Sequence, residues 1–423
     1  MTVSKHLLCL TMHEPGLLPH LFRTEYQKII SVLCSLFGIE HIEVAEDIAS
    51  DTFLSATELW SLHGTPANPV AWLYTVAKNK TLNRLKRDAL FAKKISAALK
   101  QGAATAEEIA LDLSPANIHD SQLAMMFTIC HPAISADAQV ALALNLLCGF
   151  SIRETADAFV TGKEAIYKRL SRAKEKLKEE KIRIEQPGRS DIDNRLEPVL
   201  TTLYLLFSEG YYSTSQNTVL RKDLCAEAMR LNRLLIGNEY TNKPAAKALY
   251  ALMCFHASRF EARTNGHGEP VLYNDQDTSL WNKELIEQGE YYLNKAAAGN
   301  ELSRYHLEAA IAYWHTHKED TPVKWEAILQ LYNQLLMLEY SPIAALNRTY
   351  ALAKACGKEI AIIEAEKLQL ENNHFYHALL GHLYSGINDV KAVQHLHCAW
   401  QLASSATDKE MIQKNLEQLS CKM

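Results

Sequence analysis

Paired cysteines are missing from this 423-residue sequence, whose nine Cys stand singly and mostly in apolar runs. The absence of any Cys-x-x-Cys pair disfavours a disulfide scaffold and a cysteine-based zinc site, and it indicates reduced, buried thiols. His-Glu-x-x-His and a glycine-rich phosphate loop are absent too. We therefore expect no metal, no cofactor and no enzymatic activity.

Long apolar runs and an excess of basic charge are also lacking. No run approaches the roughly 20 apolar residues that cross a bilayer, and the N-terminus lacks the pattern of a secretory signal. These absences predict a cytoplasmic protein with no membrane contact. The formal net charge of -5 disfavours a chain that coats nucleic acid indiscriminately, although it says little about a local patch.

Helical periodicity is what the sequence does have. Because 48% of its residues are hydrophobic and strand-like alternation is scarce, we predict an all-α chain with several cores. Turn-rich stretches divide it into a first block (1–91), a linker (92–118), a second block (119–184) and a helical extension (185–423). The polar segment 261–279 fits no calcium or zinc pattern, so we predict a solvated loop there.

The segment NPVAWLYTVAKNKTLNRLKRD in the first block carries five Lys and Arg between residues 78 and 87. Pro69 suits the first turn of a helix, and Leu73 and Ala77 then share an arc that can face a core. The neighbouring arc carries an aromatic ring, amides and cations, which can stack on unpaired bases and hold phosphates. An amphipathic helix whose Trp72 completes the core explains the same pattern, and this helix alone does not decide between the two.

Just upstream, IEVAEDIASDTFLSATELW places Glu43, Asp47 and Asp51 on one helical face at spacings of four. We call these three residues the acidic ridge. Like charges at this spacing repel each other by a few tenths of a kcal/mol in an isolated helix, so the ridge indicates a basic partner. A merely solvated face is the alternative.

Two helix starts lie close together in GFSIRETADAFVTGKEAIYKRLSRAKEKLKEEK, in the second block. Ser151-x-x-Glu154 and Thr161-x-x-Glu164 are both capping-box sequences, which predicts two helices that begin ten residues apart around a tight corner. Ala156 is small where the two helices would cross. The second helix has one apolar stripe, formed by Ile166, Leu170, Ala173 and Leu177.

The exposed face of this second helix is basic and includes one aromatic residue. Such a helix can enter a major groove with its first turns and hold phosphates with its cations. An ordinary helical hairpin with a basic surface is the less favoured alternative. The residues of this face include Lys163, Tyr167, Lys168 and Arg172, with Arg169 on its flank.

The segments AEDIASDTFLSA, NPVAWLYTVAKNKTLNRLKR and SIRETADAFVTGKEAIYKRLSRAKEKL, in this order, resemble a bacterial RNA polymerase sigma factor. The similarity is to the extracytoplasmic-function group of the sigma-70 family and covers about residues 12–183. It implies that the first block is region 2, whose acidic ridge, Glu43, Asp47 and Asp51, docks on the clamp helices of the polymerase β′ subunit. It also implies that the basic helix captures the melted minus-ten element, with Trp72, Asn79, Lys80, Asn83, Arg84 and Arg87.

The same resemblance implies that the second block is region 4, a helix-turn-helix that reads the minus-thirty-five element and contacts the β flap. Lys78, Asn83 and Val160 depart from the family pattern, which more often has Arg, Asp and Gly there, so individual base contacts need not follow the family. The residues implied for minus-thirty-five contacts are Arg153, Lys163, Tyr167, Lys168, Arg169 and Arg172.

The extension resembles a subgroup with a large helical region related to tetratricopeptide repeats, through LYLLFSEGYYSTSQNTVLRKDLCAEAMRLNRLL. Aligning SPIAALNRTYALAKACG with NNHFYHALLGHLYSGIND puts helical hairpins about 33 residues apart, near the period of such solenoids. Stacked hairpins form a concave binding surface, so we expect a module that binds a protein partner, folds back on the chain or regulates it. A purely stabilising extension is the alternative.

The sequence thus predicts a sigma factor that binds core RNA polymerase and promoter DNA and directs promoter-specific initiation. The alternative is a regulator that uses the helix-turn-helix by itself, with the repeats as a scaffold.

Overall fold

The structure is a computed structural model and describes residues 17–87, 111–159, 161–182, 184–185, 187–211, 221–265 and 271–420. These residues form eighteen α-helices and no strand. The predicted all-α class is confirmed. The described helices include none that is both long and apolar enough to cross a membrane.

Three helices make up the described part of the first block: α1 (Leu17–Phe37), α2 (Ile42–His63) and α3 (Pro69–Arg87). A short 3₁₀ turn, Ile39–His41, joins α1 to α2 and follows Gly38, whose φ is +91°. A left-handed φ of this kind favours glycine because it has no Cβ. Leu33, Phe37 and Leu73 are fully buried where α1, α2 and α3 pack together.

Four helices follow: α4 (Pro115–Ile129), α5 (Ala136–Leu146), α6 (Ile152–Ala158) and α7 (Lys163–Glu179). Helix α4 begins inside the predicted linker, because the Ser114 side chain accepts a hydrogen bond from the Asn117 N–H and Pro115 occupies the first turn. Most of the predicted linker, residues 92–110, lies outside the described residues. Helix α4 packs on α1 as well as on α5.

Only one of the two predicted capping boxes forms. The Ser151 side chain accepts from the Glu154 N–H and the Glu154 carboxylate accepts from the Ser151 N–H, as predicted. The prediction for Thr161 is wrong, because Gly162 is the extended N-cap residue of α7 and supplies no side-chain cap. The corner residue Val160 lies outside the described part of the chain. The predicted apolar stripe is confirmed, since all four of its residues are buried: Ile166, Leu170, Ala173 and Leu177.

The remaining helices run to the end of the described chain. They are α8 (Arg189–Tyr211), α9 (Lys222–Gly237), α10 (Pro244–Ala257), α11 (Lys283–Ala297), α12 (Arg304–Trp314), α13 (Pro322–Leu338), α14 (Pro342–Cys356), α15 (Lys358–Glu366), α16 (His374–Tyr384), α17 (Asp389–Leu402) and α18 (Ala406–Ser420).

The chain divides into two compact units, one up to Thr202 and one from Leu203 onward. This division falls beyond residue 185, where we predict the extension to start. The reason is that Thr202 belongs to the core of the first unit, where its Oγ1 lies 3.1 Å from Gln139 Oε1 and 3.4 Å from Cys130 Sγ.

Close helix packing in the second unit depends on Gly210 of the SEGYY stretch. A Cβ at this position would lie 2.7 Å from Cys225 Sγ and 2.8 Å from the Arg221 carbonyl oxygen. Any larger side chain there would push α8 away from the start of α9.

Consecutive helix pairs build the later part of the second unit. Helix α13 packs on α14 and α16 packs on α17, and one hydrophobic core runs through them. The helices that begin at Pro342 and His374 correspond to the two segments that we aligned as hairpins. Whether the pairs are tetratricopeptide-like stays a prediction.

Two expectations about polar and sulfur-containing residues need correction. The segment 261–279 is not simply a solvated loop in its described part, because Gln276 is buried and the Tyr273 ring packs 5.4 Å from that of His315. Among the described cysteines, five are buried, but Cys356 and Cys398 are exposed.

Candidate nucleic-acid and polymerase interface

Helix α3 presents a polar face beside its buried one. Leu73, Ala77 and Thr81 are fully buried, which fixes the orientation of the helix. Asn79 and Asn83 are exposed and stand one turn apart, so both amides point to the same side. Of the predicted cations, Arg84 is exposed and Lys80 is half-buried, while the Arg87 side chain lies outside the described residues.

Trp72 is part of the packing of the first block. Its indole ring is half-buried and meets the Trp60 ring edge-on, with 5.3 Å between the ring centroids. This contact agrees with the alternative in which Trp72 completes the core. A stacking role for Trp72 on melted DNA stays a prediction.

A partly buried hydrogen bond attaches α3 to α1. The Tyr74 hydroxyl donates to Glu25 Oε2 at 2.5 Å, and Lys28 Nζ lies 2.8 Å from the other carboxylate oxygen. Burial raises the pKa of Tyr74, and the Glu25 carboxylate raises it further. The phenol therefore stays protonated and keeps donating, which holds the polar face of α3 in place.

The acidic ridge lies on α2, with Glu43, Asp47 and Asp51 all exposed. A residue that the sequence did not single out, Glu46, lies beside it in the first turns of the helix. Its carboxylate is half-buried and contacts Lys174 of α7 at 2.7 Å. Nothing in the sequence pattern could reveal this contact, because its two residues lie 128 positions apart.

Glu43 makes a similar contact with the second block. Lys178 Nζ lies 2.6 Å from Glu43 Oε1. Partial burial would raise the pKa of Glu43, but the hydrogen bond and the charge of Lys178 outweigh this effect and lower the pKa overall. Glu43 is therefore ionised and paired, whereas Asp47 and Asp51 extend the negative surface into solvent.

Most of the basic face of α7 is accessible. Tyr167 is 61% exposed, and Lys163, Lys168 and Arg172 are exposed around it. Arg153, on α6, is exposed as well. The structure thus places these five predicted residues on the surface of one helix pair.

Arg169 is the exception on this face. Its guanidinium stacks over the Phe159 ring at 5.0 Å, and its Nη1 is buried without a hydrogen-bond partner in the described part of the chain. This contact holds the end of α6 against α7. A contact between Arg169 and DNA stays a prediction.

No group of three His, Cys, Asp or Glu side chains among the described residues could hold a metal ion. The exposed groups of this candidate interface are amides, cations and carboxylates on four helices, α2, α3, α6 and α7. Such groups suit electrostatic contact with nucleic acid and with another protein.

Comparison with known proteins identifies the class. Residues 21–90 match the family model described as Sigma-70 region 2, and residues 195–297 match a family of unknown function, DUF6596. The region 2 match at the N-terminus, together with the second family match, supports a sigma-70 family factor, and region 2 is a domain of transcription factors rather than of enzymes. The chain is similar to uncharacterized protein R00370 of Rhizobium meliloti (strain 1021), with 32% identity over 388 residues, 90% of this chain and 91% of that protein. No solved structure matches.

Helices α1 to α3 form nearly all of the region 2 match. Region 2 is the part of a sigma factor that binds core RNA polymerase and the promoter minus-ten DNA. The match to the family of unknown function begins within α8 and ends at the last residue of α11.

Proposed function

We propose that this protein is a cytoplasmic sigma factor of the extracytoplasmic-function group, which binds core RNA polymerase and directs promoter-specific initiation. The observation that carries the proposal is the region 2 match over α1–α3, the helices that expose both the acidic ridge and, on α3, the amides together with the cation Arg84. Two surfaces of opposite charge on one small block suit two partners of opposite charge.

The acidic ridge is the proposed polymerase contact. Asp47 and Asp51 are exposed on α2 and stand one turn apart, so they can meet a basic surface without rearrangement of the helix. Their proposed partner is the pair of clamp helices of the polymerase β′ subunit.

Helix α3 is the proposed contact with the melted minus-ten strand. Asn79 and Asn83 offer donors and acceptors to unpaired base edges, and Lys80, Arg84 and Arg87 would hold phosphates. The fixed orientation of α3, through Leu73 and the Tyr74 hydroxyl, supports this role because a rigid helix loses little entropy on binding.

The pair α6–α7 is the proposed region 4. Its exposed Lys163, Tyr167, Lys168 and Arg172 suit a helix whose first turns enter the major groove of the minus-thirty-five element, and Arg153 suits a neighbouring phosphate. Contact with the β flap belongs to the same proposal. The second unit is the proposed regulatory or partner-binding module, since consecutive helix pairs of this kind form extended surfaces.

Binding and run-off transcription with core polymerase test the proposal. D47K/D51K should lose polymerase binding. The matched control E284K/E287K makes the same change of charge at exposed acids of α11 and should bind as the parent does. Specific DNA binding by the chain alone, with no affinity for core polymerase, would instead support the regulator alternative.

The role of the second unit is tested by run-off transcription with a chain that ends after Thr202, where the first unit ends. A changed promoter output supports regulation by the second unit. Unchanged output together with unchanged polymerase binding contradicts it.

A further inference from the structure

Two lysines on one flank of α7 contact the first turns of α2. Lys178 pairs with Glu43 at 2.6 Å, and Lys174 pairs with Glu46 at 2.7 Å. We call Lys174 and Lys178 the lysine flank. The two lysines are four residues apart on α7, and Glu43 and Glu46 are three residues apart on α2, so each pair spans about one helical turn. One turn of α7 therefore contacts one turn of α2.

These ion pairs are partly withdrawn from water. The Lys174 and Glu46 side chains are only 16% and 28% exposed, and that of Lys178 is 30% exposed. Solvent therefore screens them less than it screens a typical surface pair, and their attraction counts for more.

The second block also contacts the first block at other points. Arg23 of α1 pairs with Glu154 of α6 at 3.2 Å. Gly149, just before α6, has a φ of +73°, and a Cβ there would lie 3.5 Å from the Arg23 carbonyl oxygen. Helix α4 packs on α1, so the two blocks form a continuous interface within the first unit.

We infer that the lysine flank is an internal partner of the acidic face of α2, which occupies part of the surface that core polymerase needs. This inference rests on the proposed function, since it takes the acidic ridge as the polymerase contact. The structure is then the closed form of the sigma factor, and polymerase binds after α7 leaves α2.

Charge complementarity supports this inference. The polymerase surface that meets the acidic ridge must be basic, and the lysine flank supplies the same charge to the same helix. Glu43 belongs to the ridge and to the internal contact at once, so both partners cannot bind it together.

The groove-reading face of α7 is not involved in closure. Tyr167 remains 61% exposed, and Lys163 and Arg172 are exposed beside it. Closure thus hides part of the polymerase-binding surface and leaves the proposed minus-thirty-five contacts free. The apparent polymerase affinity of the free chain is then reduced in proportion to the fraction of open molecules.

The test uses the full chain and core RNA polymerase. K174E/K178E replaces two attractions with two repulsions and should bind polymerase about tenfold more tightly than the parent. The control is K176E, on the same helix, because Lys176 pairs with Glu179 of α7 and with the C-cap residue Glu180 instead of with α2. K176E should bind as the parent does.

A second measurement follows closure directly. A zero-length carbodiimide reagent joins a lysine to a carboxylate only where the two are in contact, so the free parent should give Lys178–Glu43 and Lys174–Glu46 cross-links by mass spectrometry. Both cross-links should disappear when polymerase is present in saturating amount. If K174E/K178E is poorly folded, K174Q/K178Q removes the pairs without repulsion and should tighten binding about threefold.

Equal polymerase affinities of the parent and the lysine-flank variants would overturn the inference and leave the proposed function intact. Cross-links that persist in the polymerase complex would overturn it as well. If neither the parent nor any variant binds core polymerase, the proposed function itself fails, and the inference fails with it.

Discussion

Lys178 and Glu43 lie 135 residues apart in the chain, yet their side chains form an ion pair of 2.6 Å. The neighbouring pair, Lys174 with Glu46, is less exposed on both sides. Together they join the end of the second block to the start of α2.

The two lysines should differ in their effect on stability. K174A leaves a half-buried carboxylate without its partner and should lower the free energy of unfolding by about 1 kcal/mol. K178A should cost about 0.3 kcal/mol, because Glu43 is 59% exposed and water replaces the lost partner. Thermal denaturation of both variants measures the difference, and equal losses would contradict it.

Ser151 should matter for stability and Thr161 should not. S151A removes one side of the capping box of α6 and should destabilise the first unit by about 1 kcal/mol. T161A is the matched control, because the Thr161 side chain does not cap α7. Urea unfolding followed by circular dichroism makes the comparison. A larger loss of stability from T161A than from S151A would contradict this assignment of the residues that cap α6 and α7.

The hydrogen bond between Tyr74 and Glu25 should stabilise the first block. Y74F keeps the ring and removes the donor, which leaves the buried Glu25 carboxylate with Lys28 alone. We expect a loss of about 1.5 kcal/mol, as for other hydrogen bonds to charged groups. Y26F is a useful control and should cost less, since the Tyr26 hydroxyl has two uncharged partners, Ser50 Oγ at 2.9 Å and a main-chain carbonyl oxygen at 3.3 Å. An unchanged melting temperature in Y74F would contradict the prediction.

Trp72 and Asn83 should respond differently to truncation. W72A loses the edge-on contact with Trp60 and should lower the free energy of unfolding by about 2 kcal/mol, while W72F should recover most of it. N83A changes an exposed side chain and should leave stability within about 0.5 kcal/mol. In exchange, N83A should weaken binding of the holoenzyme to a single-stranded minus-ten oligonucleotide. If W72A is as stable as the parent but no longer binds the oligonucleotide, then Trp72 contacts DNA and does not stabilise the fold.

Glu308 should give the second unit a pH-dependent stability. Burial raises its pKa from 4.5 to about 7, against the opposing effects of Arg304 and Tyr204. Between these two values the folded chain keeps a proton that the unfolded chain releases, so the stability contributed by Glu308 falls as the pH rises. The stability of the parent minus that of E308Q should therefore decrease by about 2 kcal/mol from pH 4.5 to 7.

A buried histidine has the opposite pH dependence. Because it contributes equally to the parent and to E308Q, its effect cancels in the difference between their stabilities. Burial, helped by Arg259 and Lys324, lowers the pKa of His315 to about 3, so its contribution to stability rises with pH from about 3 to 6.5. Unfolding of the parent and of E308Q at several pH values provides the measurement. E287Q, at an exposed acid of α11, should follow the parent, and an E308Q variant that also follows the parent would refute the assignment.

Local patterns in the sequence predicted local structure well. The buried side of α3 was predictable because Leu73 and Ala77 are spaced for one helical face, and the cap at Ser151 was predictable because a capping box involves only neighbouring residues. The predicted capping box at Thr161 does not form, because the next residue, Gly162, takes the extended N-cap position of α7 and has no side chain to cap the helix. The choice between two such residues is decided by packing, which short patterns do not record.

Long-range contacts could not be predicted from spacing. Nothing in the sequence around Glu46 indicates Lys174, and the polarity of residues 271–279 conceals that Tyr273 packs against His315. Of the candidate site, the exposure of Asp47, Asn83 and Tyr167 followed from helical periodicity. The half-buried state of Trp72 could not be predicted from helical periodicity, because the partner ring of Trp60 comes from another helix.

The contact between Trp60 and Trp72 gives region 2 an intrinsic optical reporter. The two indoles couple at 5.3 Å, and the Trp60 Nε1 is buried without a hydrogen-bond partner in the described residues. The chain has six Trp, so replacing the other four with Phe would leave emission from this pair alone. A base that displaces Trp72 from Trp60 would then change the fluorescence spectrum, and promoter melting could be followed in real time without an added dye.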